Sequence, residues 1–66
     1  MKLFYDASRA VEWLEAVLEC GTDEAAEAFS TLYDLDVFGR GDSGCLCRWT
    51  ADQVREWHER EEEALA

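Results

Sequence analysis

Residues Tyr33 to Trp49, YDLDVFGRGDSGCLCRW, decide between two architectures for this chain. Tyr33, Leu35 and Val37 alternate with Asp34 and Asp36, the period-two pattern of a strand with one covered face and one in water. The cluster GRGDSG then places glycines at 39, 41 and 44, the residues a tight turn with positive φ uses. Beyond it CLCRW alternates again, with Cys45, Cys47 and Trp49 on one side and Leu46 and Arg48 on the other. Read in this way the stretch is a strand, a glycine turn and a second strand. The alternative is a mainly α protein with a central glycine-rich loop.

Upstream, KLFY at 2–5 is short, aromatic and stopped by Asp6, which fits a first strand. Asp6 or Ser8 can cap a helix in which Ala7, Val11, Leu14 and Leu18 form the inward stripe, widened by Ala10 and Val17. The helix is expected over Ala7–Cys20, with Gly21 as its left-handed stop. Thr22 is expected to cap a second, shorter helix, with Asp23 and Glu24 in its first turn and Ala25, Phe29 and Leu32 inward. Downstream, Thr50 and Gln53 form a capping box that opens a third helix with Val54 and Trp57 on its buried face. Its tail, EREEEALA, is mostly charged, and about residues 61–66 are expected to fray. The expected fold is α+β, in the order β-α-α-β-β-α: two to three antiparallel strands packed against three helices.

The chain has 66 residues, enough for one domain near the size at which folding buries roughly 60% of the unfolded surface. Eight aromatic residues and 48% apolar composition oppose disorder in spite of the charge. No run approaches the ~20 apolar residues of a membrane span, and the N-terminus has no apolar run before Asp6. Three cysteines, an odd number, suit a reducing compartment, so a cytoplasmic location is expected.

Arg40-Gly41-Asp42 matches an integrin-type tripeptide, but so short a match is weakly specific, and the turn reading explains its glycines. Cys45, Cys47, Cys20 and His58 could together supply the ligands of a structural zinc, yet Cys-x-Cys lacks the usual knuckle spacing. Free cysteines also behave as small core hydrophobes. No metal, no cofactor and no catalytic residue is therefore assigned. A chain of this length leaves little room for an enclosed pocket, and an enzyme is not expected.

Charge is the informative feature. Sixteen Asp and Glu against six Lys and Arg leave a formal charge of −10. Nucleic acid and anionic membranes are unsuitable partners for such a surface, whereas basic proteins suit it. Glu12, Glu15 and Glu19 follow one another at three and four residues, which stacks them about 5–6 Å apart on one helix face. Asp23, Glu24 and Glu27 continue the row on the next helix, and Asp34 and Asp36 extend it. Lys and Arg are absent between Ala10 and Phe38, so these acids lack the local partners that Glu56 finds in Arg60. A plainly solubilising face is the bland alternative.

A row of carboxylates imitates a row of phosphates, spaced in duplex DNA at one charge per ~1.7 Å of axis. In size and charge pattern the chain resembles the small acidic anti-CRISPR and DNA-mimic proteins of phages and mobile elements. The resemblance implies a non-enzymatic inhibitor in a bacterial host that blocks the DNA site of a basic nucleic-acid-binding protein or CRISPR effector complex. The partner-binding residues expected from the charge row are Glu12, Glu15, Glu19, Asp23, Glu24, Glu27, Asp34 and Asp36, on a monomer or homodimer. The competing expectation is an adaptor or antitoxin-like protein that binds through aromatic residues. Trp13, at the edge of the apolar stripe between Glu12 and Glu15, is its candidate anchor, with Trp49 and Trp57 claimed by the core.

Overall fold

The computed structural model describes residues 2–41 and 44–65. Its elements run β1 (Lys2–Phe4), α1 (Ala7–Leu18), α2 (Thr22–Asp34), β2 (Phe38–Gly41), β3 (Gly44–Cys47) and α3 (Ala51–Leu65). The fold is α+β, with three helices and one antiparallel sheet.

β3 is the central strand, in the order β1-β3-β2. Cys47 lies opposite both Lys2 and Phe38, and Cys45 opposite both Phe4 and Arg40. Directly opposed residues share a face, so Phe4, Phe38, Cys45 and Cys47 point toward the helices while Leu3, Leu46 and Gly39 turn outward. Gly44 needs to be glycine: at φ +155°, a Cβ there would run into the carbonyl oxygen of Phe4. The core joins the inner sheet face to α1, α2 and α3 through Phe38, Leu14, Leu32 and Val54, all fully buried. Aromatic rings bind the layers: Phe29 and Phe38 lie 4.8 Å apart, Phe4 and Trp13 5.3 Å. Among the described residues no helix is long and apolar enough to cross a membrane.

Several boundaries differ from expectation. The alternation at Tyr33–Val37 is not a strand, because Tyr33 and Asp34 complete α2. The helix stops in a Schellman arrangement: Val37 N–H donates to Leu32 at 2.9 Å and Asp36 N–H to Tyr33 at 3.1 Å, with Asp36 left-handed at φ 65°. Leu32 and Val37 are both buried, the apolar contact that accompanies this motif. Tyr33 and Leu35 therefore do not share Val37's inward face; they are exposed. The strand is displaced to Phe38–Gly41, so Gly39 and Gly41 belong to β2 and not to the turn. Gly41 pairs with Gly44, which confines the hairpin connection to residues 42 and 43, outside the described residues. Trp49 lies beyond β3.

α1 is stopped by Glu19, left-handed at φ 51°, two residues before Gly21. Gly21 is instead the N-cap of α2, and Thr22 is already helical. α2 is one residue longer than α1, 13 against 12, not shorter. The buried stripe of α1 centres on Ala10, Leu14 and Val17, which leaves Ala7 exposed. Two caps stand as read: Asp6 accepts from Arg9 N–H at 3.0 Å, and Thr50 and Gln53 cap each other at 2.9 and 3.3 Å. α3 runs from Ala51 to Leu65, into the segment expected to fray.

Candidate functional site: an acidic helical surface

The acids from Glu12 to Asp36 lie outside the core because the apolar stripes of α1 and α2 face inward at three- and four-residue spacing. Glu12, Asp23, Glu24 and Glu27 are exposed and Glu15 is half-buried. Glu15 and Glu24 converge at the α1–α2 junction, where both act on Cys20. Burial is the largest influence raising that thiol above its ordinary value of 9.0; Glu24, by charge and hydrogen bond, and then Glu15 add to it. Asp23 and Glu24 occupy the first turn of α2, where the helix dipole favours negative charge.

Not all eight acids join one surface. Glu19 leaves the helix in its left-handed cap and lines a shallow groove with Arg55 and Glu59. Asp34 ends α2, ten residues and about 15 Å beyond Glu24 at 1.5 Å per residue. Asp36 forms the αL turn after it, and the Arg48 guanidinium donates to its carbonyl oxygen. The acids that do come together are Glu12 and Glu15 beside Thr22, Glu15 and Glu24 around Cys20, and Glu24 and Glu27.

Glu24 and Glu27 face two acids absent from the sequence expectation, Glu61 and Glu62 of α3, across a groove of about 220 Å³. The half-buried Trp57 and the buried Ala28 line its apolar part, with Thr31 and His58 beside them. A readable signal did exist: Glu56–Arg60 and His58–Glu62, each at i to i+4, support helix through the region expected to fray. The first pair meets at 2.7 Å and the second at 3.8 Å.

The bases do not neutralise this surface. Arg55 pairs with Asp52 at 2.8 Å and Arg60 with Glu56, both within α3. Arg55 also donates to the Val17 carbonyl at 3.3 Å, so one base does reach the end of α1, but it meets a backbone oxygen and no carboxylate. Among the described residues none of the eight acids from Glu12 to Asp36 has a salt-bridge partner.

Trp13 is a core residue as much as a surface one: half-buried, it stands 5.3 Å from Phe4 and 6.5 Å from Phe38. The exposed large apolar side chains are elsewhere, at Leu3 (72%), Tyr5 (82%), Tyr33 and Leu35. The three thiols are free; Cys47 is buried in the sheet core, and burial raises its pKa above 9.0. Among the described residues no three His, Cys, Asp or Glu groups are placed to hold a metal ion.

No family model, curated protein or solved structure matches this chain.

Proposed function

We propose that the protein is a non-enzymatic inhibitor that presents its acidic helical surface to the basic groove of a nucleic-acid-binding complex, in the manner of an anti-CRISPR DNA mimic, and so blocks target DNA. The observation that carries this reading is charge segregation. Glu12, Glu15, Asp23, Glu24 and Glu27 lie on neighbouring helices without a salt-bridge partner among the described residues, while Arg55 and Arg60 are paired inside α3. Carboxylates a few ångströms apart present a basic groove with the charge pattern of a phosphate row. A partner's Lys and Arg would relieve their mutual repulsion, and the long-range field would steer the encounter.

The test is competition. Purified CRISPR effector complexes are incubated with duplex target DNA and increasing amounts of the protein, and bound DNA is measured. Displacement is expected at about 0.15 M salt, where the Debye length is about 8 Å, and its loss near 1 M, where it is about 3 Å. Glu12→Lys combined with Asp23→Lys and Glu27→Lys, all at exposed positions, is expected to abolish displacement with the fold retained by circular dichroism. A triple variant that still displaces DNA overturns the reading.

The second reading is an adaptor that binds through apolar contacts, with the charge serving solubility. Leu3, Tyr5 and Leu35, exposed by 72%, 82% and 55%, favour it over the Trp13 anchor. It predicts that Leu3→Ser with Tyr5→Ser removes partner binding and that salt changes little.

A further inference from the structure

The groove between α2 and α3 combines an apolar floor with two acidic walls. Trp57 and Ala28 lie along it, Glu24 and Glu27 come from one helix, and Glu61 and Glu62 from the other. No Lys or Arg lines it, and its histidine, His58, stands 3.8 Å from Glu62 alone among its carboxylates. Four exposed carboxylates without a lining base give the groove a negative charge that complements a cationic side chain. A compact metal ion does not fit that role, because no three ligand groups among the described residues are grouped closely enough to hold one. At about 220 Å³ the groove is also smaller than the roughly 300–1,000 Å³ of small-molecule pockets, and of a size for a side chain. A guanidinium suits both parts: its flat face stacks on an indole and its several N–H donors reach carboxylates on either side, which a point-like ammonium does less well.

We propose that the α2–α3 groove docks an arginine-bearing segment of a protein partner, with the guanidinium over Trp57 and between Glu27 and Glu61. The inference rests on the acidic-surface reading and deepens it. The exposed acids of α1 attract any basic surface, whereas this groove selects arginine over lysine.

The probes are hexaarginine and hexalysine, equal in charge, titrated into the ¹⁵N-labelled full chain while backbone and indole resonances are followed. Hexaarginine is expected to shift the Trp57 indole N–H together with amides in 24–31 and 57–62, and to bind about five- to tenfold more tightly than hexalysine. Glu27→Gln with Glu61→Gln, both exposed, is expected to weaken hexaarginine at least about fivefold and to erase the preference. Equal affinity for the two peptides, shifts confined to the Glu12 face of α1, or an unchanged double variant each overturns the proposal. Failure here is separable from failure of the parent reading. An effector complex inhibited equally by the wild type and by Glu61→Gln, a groove residue outside the α1–α2 acids, refutes the groove and leaves the acidic surface standing. Groove-specific arginine binding without inhibition of any effector does the opposite.

Discussion

Helix α3 and the pair α1–α2 carry similar numbers of acids but dispose of them differently. In α3, Asp52 has Arg55, Glu56 has Arg60, and Glu62 has His58, each a three- or four-residue step away. Both regions step acid to acid, Asp52 to Glu56 and Glu59 to Glu62 in α3, Glu12 to Glu15 and Asp23 to Glu27 in α1 and α2, but only in α3 do arginines stand among the acids and pair with them. The first arrangement stabilises its own helix; the second costs its helix a little and leaves charge available to a partner. α3 also changes character along its length, since beyond Arg60 its acids Glu61 and Glu62 turn to the groove that α2 walls from the other side. Charge pairing within an element therefore does not mark out the proposed binding surface, because acids of neighbouring helices contribute to it.

The contrast depends on a core that holds all three helices in place, and removing part of it has the largest effect. Leu14 is fully buried, so Leu14→Ala is expected to cost about 2–5 kcal/mol by urea unfolding, enough to unfold much of so small a domain. A cost under about 1 kcal/mol would mean that α1 is not packed as described.

Neutralising single charges sharpens the contrast by sign. Glu27→Gln removes like-charge repulsion from Asp23 and Glu24 and is expected to raise stability by a few tenths of a kcal/mol. Arg60→Gln, by contrast, removes the base that pairs with Glu56 among the like-charged neighbours Asp52 and Glu59, and is expected to lower stability by a similar small amount, as befits an exposed pair. Both shift the urea midpoint, and high salt should shrink both. Changes of the same sign would end the distinction between the two regions.

The smallest effect is read at Cys20. Burial, then Glu24 and Glu15, raise its thiol above the ordinary value, so its thiolate fraction is smaller than that of a free cysteine and it alkylates more slowly. Glu24→Gln removes one of the causes that raise the pKa, which increases the thiolate fraction and should quicken iodoacetamide labelling of Cys20 as followed by mass spectrometry. Glu56→Gln, on α3, should leave that rate alone. The sign for stability follows: above pH 9.0 the unfolded thiol loses its proton before the folded one, so stability falls as pH rises through that window.

Much of this was legible in the residues and the rest depended on contacts distant in sequence. The order β-α-α-β-β-α, the Asp6 cap and the Thr50–Gln53 box follow from hydrogen bonds spanning a few residues, and local sequence carries them. The stacking of Glu12 on Glu15 and of Glu24 on Glu27 follows likewise from helical periodicity. The end of α2 was not legible from alternation, because Tyr33 to Val37 satisfies a strand's period and a helix's stop equally well. Burial of Leu32 with Val37 favours the helix, and that burial exists only once the sheet and α1 are in place. The same holds for Trp13, drawn to Phe4 and Phe38, and for Asp34 and Asp36, set apart from the other acids by the length of α2.

The sequence by itself determined which side chains are charged, how they are spaced along each helix and where two of the helices begin, since each depends on neighbours within about four residues. Only the tertiary structure decided that β3 runs between β1 and β2, that Gly44 must lack a Cβ, and that Glu61 and Glu62 face Glu24 and Glu27. Those outcomes depend on which apolar surfaces exclude water together, a property of the whole packed chain and of no single segment.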